Sequence, residues 1–346
     1  MTKYVLKRIG LAIVTAFIIL SLTFIFMKML PIPQPAGLRG QVFAFYEQQA
    51  ALGYVIHSNS PLEGFGPALW SDTDPKSAIN HFYYARPVME QYGLWIKNIV
   101  TEWDWGTSTS IDTNVSAIKI IGERIVYSLQ VNIISVFVSV PIGISLGILA
   151  ALKKNKLTDH FISTAVMVFI SIPSFVVISL LMLWFCFQNE WLPIAWPAEN
   201  AAPGVKAAGF VIPVLSLSFG SICGYTRFTR AELCEVMSSE YLLLARTKGL
   251  TKSQSIIRHA LRNAMVPIVP SIIAEFISVL GGSMILEQLY GIPGIGNLFI
   301  EAINLKDYNV LMVDMAIFTM ISLFASVLLD LSYGFIDPRI RMGAKK

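Results

Sequence analysis

Side chains able to do chemistry are few and scattered in this sequence. Its four histidines, His57, His81, His160 and His259, form no His-Glu-x-x-His pair of the kind that holds a catalytic zinc. Three cysteines, Cys186, Cys223 and Cys234, lie in or beside apolar stretches. Their spacing matches no metal motif, and their odd number argues against a full disulfide framework. No Gly-x-x-x-x-Gly-Lys-Ser/Thr stretch occurs, so the chain has no phosphate-cradling loop of its own. What remains are carboxylates within apolar runs, Glu275, Glu287, Asp314 and Asp330, where charge is costly and often functional. Glu275 has three roles open to it: lining a path across the membrane, binding a substrate amine, or bonding to a polar group on a neighbouring helix. Asp330, near the end of its run, reads as structural.

The most informative segment runs from Ser238 to Pro267, within a polar loop of about 233–265. Glu240-Tyr-Leu-Leu-Leu-Ala-Arg-Thr-Lys248 places a carboxylate at the start of a helix and cations at its end, the order that complements the helix dipole. Gly249 suits a left-handed cap, with Leu250 as the apolar residue that follows. Thr251-Lys252-Ser253-Gln254 matches a capping box, so a second helix begins at once and is expected to run until Pro267 nears. Arg258, His259 and Arg262 fall at helical spacing and give that helix a cationic face, suited to lipid headgroups or an acidic groove. A plain tether does not need a doubly capped bend.

The elements that must carry this bend are membrane helices. Hydrophobic residues make up 55% of the chain and charged residues 14%, with a mean hydropathy of +0.63. A soluble surface needs about 25% charge. Six stretches approach the roughly 20 apolar residues that cross a bilayer: 9–30, 125–152, 160–187, 211–230, 266–290 and 310–334. The fourth is weakest, interrupted by Gly220 and Gly224, and the fifth holds Gly281 and Gly282, where helices can approach closely. The first is too long for a signal peptide and lacks a clear cleavage site, so it reads as a retained helix.

Lys and Arg gather on one side of such a topology. With the N-terminus inside, 17 of the 26 basic residues fall in cytoplasmic segments, which places both termini in the cytoplasm. The domains expected are 1–30, an N-terminal segment and first helix; 31–115, an extracytoplasmic insertion long enough for a small folded cap; and 116–346, a five-helix core. Trp70, Trp95, Trp103 and Trp105 lie in the insertion, the last two as candidates for the membrane interface, and Trp191 and Trp196 read as anchors in a second outer loop. The fold class is therefore an all-α integral membrane protein, with about six transmembrane helices and a long insertion after the first.

Several segments, in order, resemble the binding-protein-dependent ABC transporter permeases, in particular the dipeptide, oligopeptide and nickel branch. Glu240-Tyr241, Ala245-Arg246-Thr247-Lys248-Gly249-Leu250 and Arg258-His259-Ala260-Leu261-Arg262-Asn263-Ala264 are similar to the family's inner-loop signature, with Thr247 where alanine is commoner. Asp104-Trp-Gly-Thr-Ser108, Ile172-Pro173-Ser174-Phe175, Glu287 with Gly291-Ile-Pro-Gly-Ile-Gly296, Asp307-Tyr308, Asp330 and Asp337-Pro-Arg-Ile-Arg341 also resemble family motifs. The branch often has Pro-Gly-Asp-Pro after its first helix, where this chain has Leu30-Pro31-Ile32-Pro33-Gln34-Pro35.

The resemblance implies a permease subunit of a peptide importer in the bacterial plasma membrane. It implies an ATPase-coupling interface at Glu240, Ala245, Arg246, Lys248, Gly249 and Leu250, and Glu275 is the candidate for the translocation path. The partners implied are a second permease, two ATPase subunits, an extracytoplasmic substrate-binding protein and membrane lipid. No nucleic acid is expected. The chain itself binds no cofactor on this reading and is not an enzyme, ATP and Mg being held by the partner subunits. Three rivals stand beside it: a nickel or other small-solute permease, a scaffold protein that merely anchors others, and an ion-driven secondary transporter. The last predicts inverted repeats and paired intramembrane charges, and no repeat is visible.

Overall fold

The computed structural model describes residues 2–30, 39–73, 79–278 and 282–336. The proline-rich stretch 31–35, Gly281 and the motif 337–341 lie outside the described residues, as do the side chains of Lys3 and Asp330. In chain order the elements are α1 (Thr2–Met29), α2 (Arg39–Ala51), β1 (Val55–Ser58), β2 (Trp70–Thr73), β3 (Asn80–Ala85), α3 (Val88–Glu102) and α4 (Ala117–Leu152). There follow α5 (Leu157–Ile170), α6 (Ser174–Leu181) with a π-helical extension over Met182–Gln188, α7 (Pro203–Gly209), α8 (Val211–Met237) and α9 (Glu240–Thr247). Last come α10 (Lys252–Ser255), a π-helical turn over Ile256–Ala260, α11 (Leu261–Ser278), α12 (Met284–Tyr290), α13 (Ile295–Asn304) and α14 (Tyr308–Ile336).

Among the described residues four helices are long and apolar enough to cross a membrane, within α1, α4, α7–α8 and α14, or five if α5 and α6 count as one bent span. The six straight spans expected from hydropathy are therefore not all present as such. The third, 160–187, bends by 98° between α5 and α6. Pro173 lacks an N–H and pushes Ile172 out of helical geometry, which ends α5. The fifth, 266–290, is divided between α11 and α12. Its helix starts earlier than expected and does not stop at Pro267, because Pro267 and Pro270 both lie inside α11. Membrane-type helices tolerate such prolines when neighbouring groups take up the freed carbonyls. Gly220 and Gly224 leave α8 continuous.

The chain divides into two compact units. One comprises 1–12, 124–300 and 320–346. In it Val131 of α4, Ile178 of α6, Ile212 and Val214 of α8, and Leu286 and Tyr290 of α12 share a buried apolar cluster. A second cluster joins Ala151, Leu233, Leu242, Ile256, Ala260 and Ala264. Helices α4 and α8 cross at Gly143 and Gly147. A Cβ on Gly143 would stand 2.6 Å from Tyr225 Cβ, and one on Gly147 would stand 2.6 Å from Thr229 Cβ and 2.8 Å from the Thr226 carbonyl. This is the small-xxx-small spacing that lets helices pack without a hydrophobic driving force. On the outer face, Phe137 and Phe161 are 71% and 75% exposed, as suits residues that meet lipid.

The other unit comprises 13–123 and 301–319 and contains most of the insertion. Here the all-α expectation needs correction. A three-stranded antiparallel sheet of order β1-β3-β2 lies within it. Its strands are four to six residues long and rich in aromatic and β-branched side chains, too short to stand out from a polar insertion. Tyr46, Val55 and Tyr83 form its core, with Tyr46 stacked on Trp70 at 5.5 Å. Trp105, expected at the membrane interface, is buried edge-on against Trp95 at 6.1 Å, whereas Trp103 is 67% exposed.

Candidate functional site

Helix α9 ends as its residues dictate. Gly249 adopts φ +95°, its N–H reaches the Arg246 carbonyl at 3.0 Å, and the Leu250 N–H reaches the Ala245 carbonyl at 3.4 Å. These are the paired bonds of a Schellman cap. Thr251 then starts α10 with a complete capping box: Gln254 N–H donates to Thr251 Oγ1 at 3.3 Å, and Thr251 N–H donates to Gln254 Oε1 at 3.1 Å. Two helical limbs thus meet across four residues, 248–251, with their terminal backbone groups bonded. Arg246 Nε adds a 3.4 Å bond to Ser255 Oγ, tying one limb to the other.

The bend is anchored from beneath. Leu242 is fully buried against Leu233 of α8 and against Ile256, Ala260 and Ala264 on the second limb. Burying one leucine contributes about 1.5–3 kcal/mol. The opposite face is bare. Glu240, Arg246, Lys248 and Gly249 are exposed, as are Tyr241, Leu243, Leu244 and Ile257, while Ala245 and Leu250 are half-buried. Arg258, His259 and Arg262 are exposed too. The bend is therefore a rigid, doubly capped projection rooted in α8 and in the helix that continues into α11.

Below the bend, Asp159 of α5 is buried and paired with Arg230 of α8. Arg230 Nη2 donates to Asp159 Oδ2 at 2.8 Å, Arg230 Nε donates to Oδ1, and Asn155 N–H and Ser163 Oγ complete the shell. In sequence Arg230 is one of the basic residues gathered on the cytoplasmic side, and nothing there pairs it with Asp159. The one local hint is an acid in the first turn of a helix that follows a basic loop.

Glu287 is also buried, and the glycine motif after it exists to make room for it. Ser128 Oγ donates to Glu287 Oε1 at 2.7 Å, and the N–H groups of Ser283 and Asn297 reach its two oxygens at 3.2 and 3.0 Å. Ser128 Oγ in turn accepts from Ile295 N–H at 2.9 Å. A Cβ on Gly294 would lie 2.3 Å from Ser128 Oγ and 2.4 Å from Glu287 Oε2, and one on Gly296 would lie 2.8 Å from the Met284 nitrogen. Gly291 caps α12 at φ +69°. Glu287 thus serves as a fastener between α4, α12 and the start of α13.

Glu275 is half-buried on α11, beside the Tyr225 hydroxyl of α8, which donates to the Ser271 carbonyl at 3.2 Å. Asp314 is fully buried in α14. In the other unit, His57 and His81, scattered in sequence, stand side by side on adjacent strands. The three cysteines are free thiols.

A set of helices long and apolar enough to cross a membrane, joined by short capped segments, defines the class of a multi-pass membrane protein. The comparisons with known proteins agree. Residues 143–342 match the model of the binding-protein-dependent transport system inner membrane component. Over 344 residues the chain is 31% identical to the dipeptide transport system permease protein DppB of Lactococcus lactis subsp. cremoris (strain MG1363), covering 99% of this chain and 100% of that one. It is 28% identical to the protein of the same name from Bacillus subtilis (strain 168), with full coverage of both. It is also 28% identical to the oligopeptide transport system permease protein OppB of Escherichia coli (strain K12), covering 99% and 100%.

The chain belongs to the family of binding-protein-dependent transport system inner membrane components. It is a transport subunit of the bacterial inner membrane, of a kind that works with separate ATPase and substrate-binding partners.

Proposed function

We propose that this chain is one permease subunit of an ATP-driven importer of di- or oligopeptides, paired with a second, different permease around a shared path. The bend entered at Glu240 and turned at Gly249 docks on an ATPase subunit through Ala245, Arg246, Lys248, Leu250 and the exposed Leu243, Leu244 and Ile257. ATP and Mg are held by the ATPase subunits, and hydrolysis there moves the bend and the helices rooted in it. Both termini lie in the cytoplasm in a six-span topology, the cap of 31–115 faces outward toward a substrate-binding protein, and Glu275 borders the path.

One observation carries the reading. A bend capped on both sides leaves Leu243, Leu244 and Ile257 exposed. Exposed apolar side chains on a capped bend are what a protein partner would cover. The peptide assignment draws on the names of the relatives in dipeptide and oligopeptide transport. The test is reconstitution with the neighbouring permease, ATPases and binding protein. Vanadate-sensitive uptake of a labelled peptide, and co-purification of the ATPases with this chain, are the expected results. Uptake that follows an ion gradient and ignores vanadate would overturn it.

A further inference from the structure

Three side chains of metal-ligating type, far apart in sequence, meet on one face of the small sheet. His57 of β1 stands directly opposite Tyr83 of β3, and His81 lies two residues from Tyr83, hence on the same face. The imidazoles of His57 and His81 stack with centroids 5.0 Å apart and 15° between planes, and His57 Nε2 lies 2.8 Å from His81 Nδ1. Glu47, from α2, brings Oε1 within 3.5 Å of His57 Nδ1. One ligand atom from each of the three lies within 4.8 Å of the others. Tyr83 donates its hydroxyl to that same oxygen, Glu47 Oε1, and so orients the carboxylate.

We propose that Glu47, His57 and His81 bind one divalent transition ion, of the borderline softness of Zn2+, which clamps α2 to β1 and β3. Two imidazoles and a carboxylate are a donor set that such ions favour, and three protein ligands leave a fourth position for water. The His57 and Glu47 side chains are 30% and 43% exposed, so the ion enters from solvent without opening the fold. Tyr83 acts as the outer-shell partner that orients a ligating carboxylate. The site uses no part of the capped bend, so it stands or falls apart from the transport reading.

The test uses the full chain in detergent, free of affinity tags and stripped with a chelator. It is titrated with Co2+, whose visible absorption reports tetrahedral coordination, and then with Zn2+ in competition. One ion per chain is expected, retained when His160 and His259 are both replaced by alanine. Binding is expected to be lost in His57→Ala and His81→Ala and weakened at least about ten-fold in Glu47→Gln, which preserves shape if the histidine variants fail to fold. Tyr83→Phe should weaken it by about 10- to 100-fold. Absence of saturable binding in the wild type overturns the proposal, and so does binding that Glu47→Gln leaves unchanged.

Discussion

The Ser108 hydroxyl donates to Asp307 Oδ2 at 2.6 Å across 199 residues of chain. The same oxygen accepts the N–H groups of Thr109, Ser110 and Ile111 at 3.0, 3.0 and 3.1 Å, and Asp307 is fully buried. Next to it, Asn309 Nδ2 donates to the Thr107 carbonyl at 2.8 Å, and its side chain lies 3.4 Å from where a Cβ on Gly106 would stand. Two stretches that read as separate motifs, 104–108 and 307–308, are one latch.

Removing the carboxylate of that latch strands a buried hydroxyl and three backbone donors. Asp307→Ala is expected to cost about 3–5 kcal/mol, the range seen when a buried charged acceptor is lost. The loss should appear as a lower thermal midpoint of the detergent-solubilised protein. Ser108→Ala, which leaves the backbone donors in place, should cost less.

The pairing of the buried Asp159 with the half-buried Arg230 gives a second stability test. Arg230→Ala, which strands the buried Asp159 carboxylate, should destabilise by about 3–5 kcal/mol, and Asp159→Ala, which leaves a guanidinium that solvent reaches, should cost less. The double variant should lose clearly less than the sum of the two. Additive losses in a double-mutant cycle would show that the pair contributes no coupling.

Gly294→Ala must collide with Ser128 Oγ and Glu287 Oε2, and Gly147→Ala with the backbone of α8. Overpacking of this sort costs about 1–3 kcal/mol. Trimming Ser128 to glycine should not restore Gly294→Ala, because Glu287 Oε2 still stands 2.4 Å from the new Cβ and the Ser128 bonds to Glu287 and Ile295 are lost. Trimming Thr229 should not rescue Gly147→Ala, since the Thr226 carbonyl stays where it is.

Gly249→Pro removes the left-handed residue and the N–H that closes the α9 cap. Membrane insertion should be retained while ATP hydrolysis and uptake come apart, with uptake falling at least about ten-fold. Parallel assays in proteoliposomes measure this, and wild-type uptake would rule out a coupling role for the bend.

Alkaline pH should loosen the cap. Burial raises the Tyr83 hydroxyl above the ordinary tyrosine value, and the Glu47 hydrogen bond adds to the shift; burial and then the charge of Asp104 do the same to Tyr54. A raised folded-state value means the unfolded chain deprotonates first. Stability is therefore full below about 10 and falls as pH rises beyond it. Tyrosinate absorbance and thermal melts across that window report the effect, and Tyr83→Phe should flatten it.

The bend was legible in the sequence because capping is local chemistry. Gly249, Thr251 and Gln254 satisfy backbone groups within a few residues, and Glu240 puts its charge in the first turn of α9, so their types and spacing suffice. Apolar runs likewise announced α1, α4, α8 and α14, since a bilayer demands length and hydropathy alone. Tertiary structure decided what depends on partners distant in sequence. Ser128 with Glu287, Asp159 with Arg230, and Ser108 with Asp307 each join residues that no periodicity relates. The sheet stayed hidden because short strands gain stability only from neighbours, and the glycines at 143, 147, 294 and 296 acquire meaning only from the atom that occupies the space where a Cβ would stand.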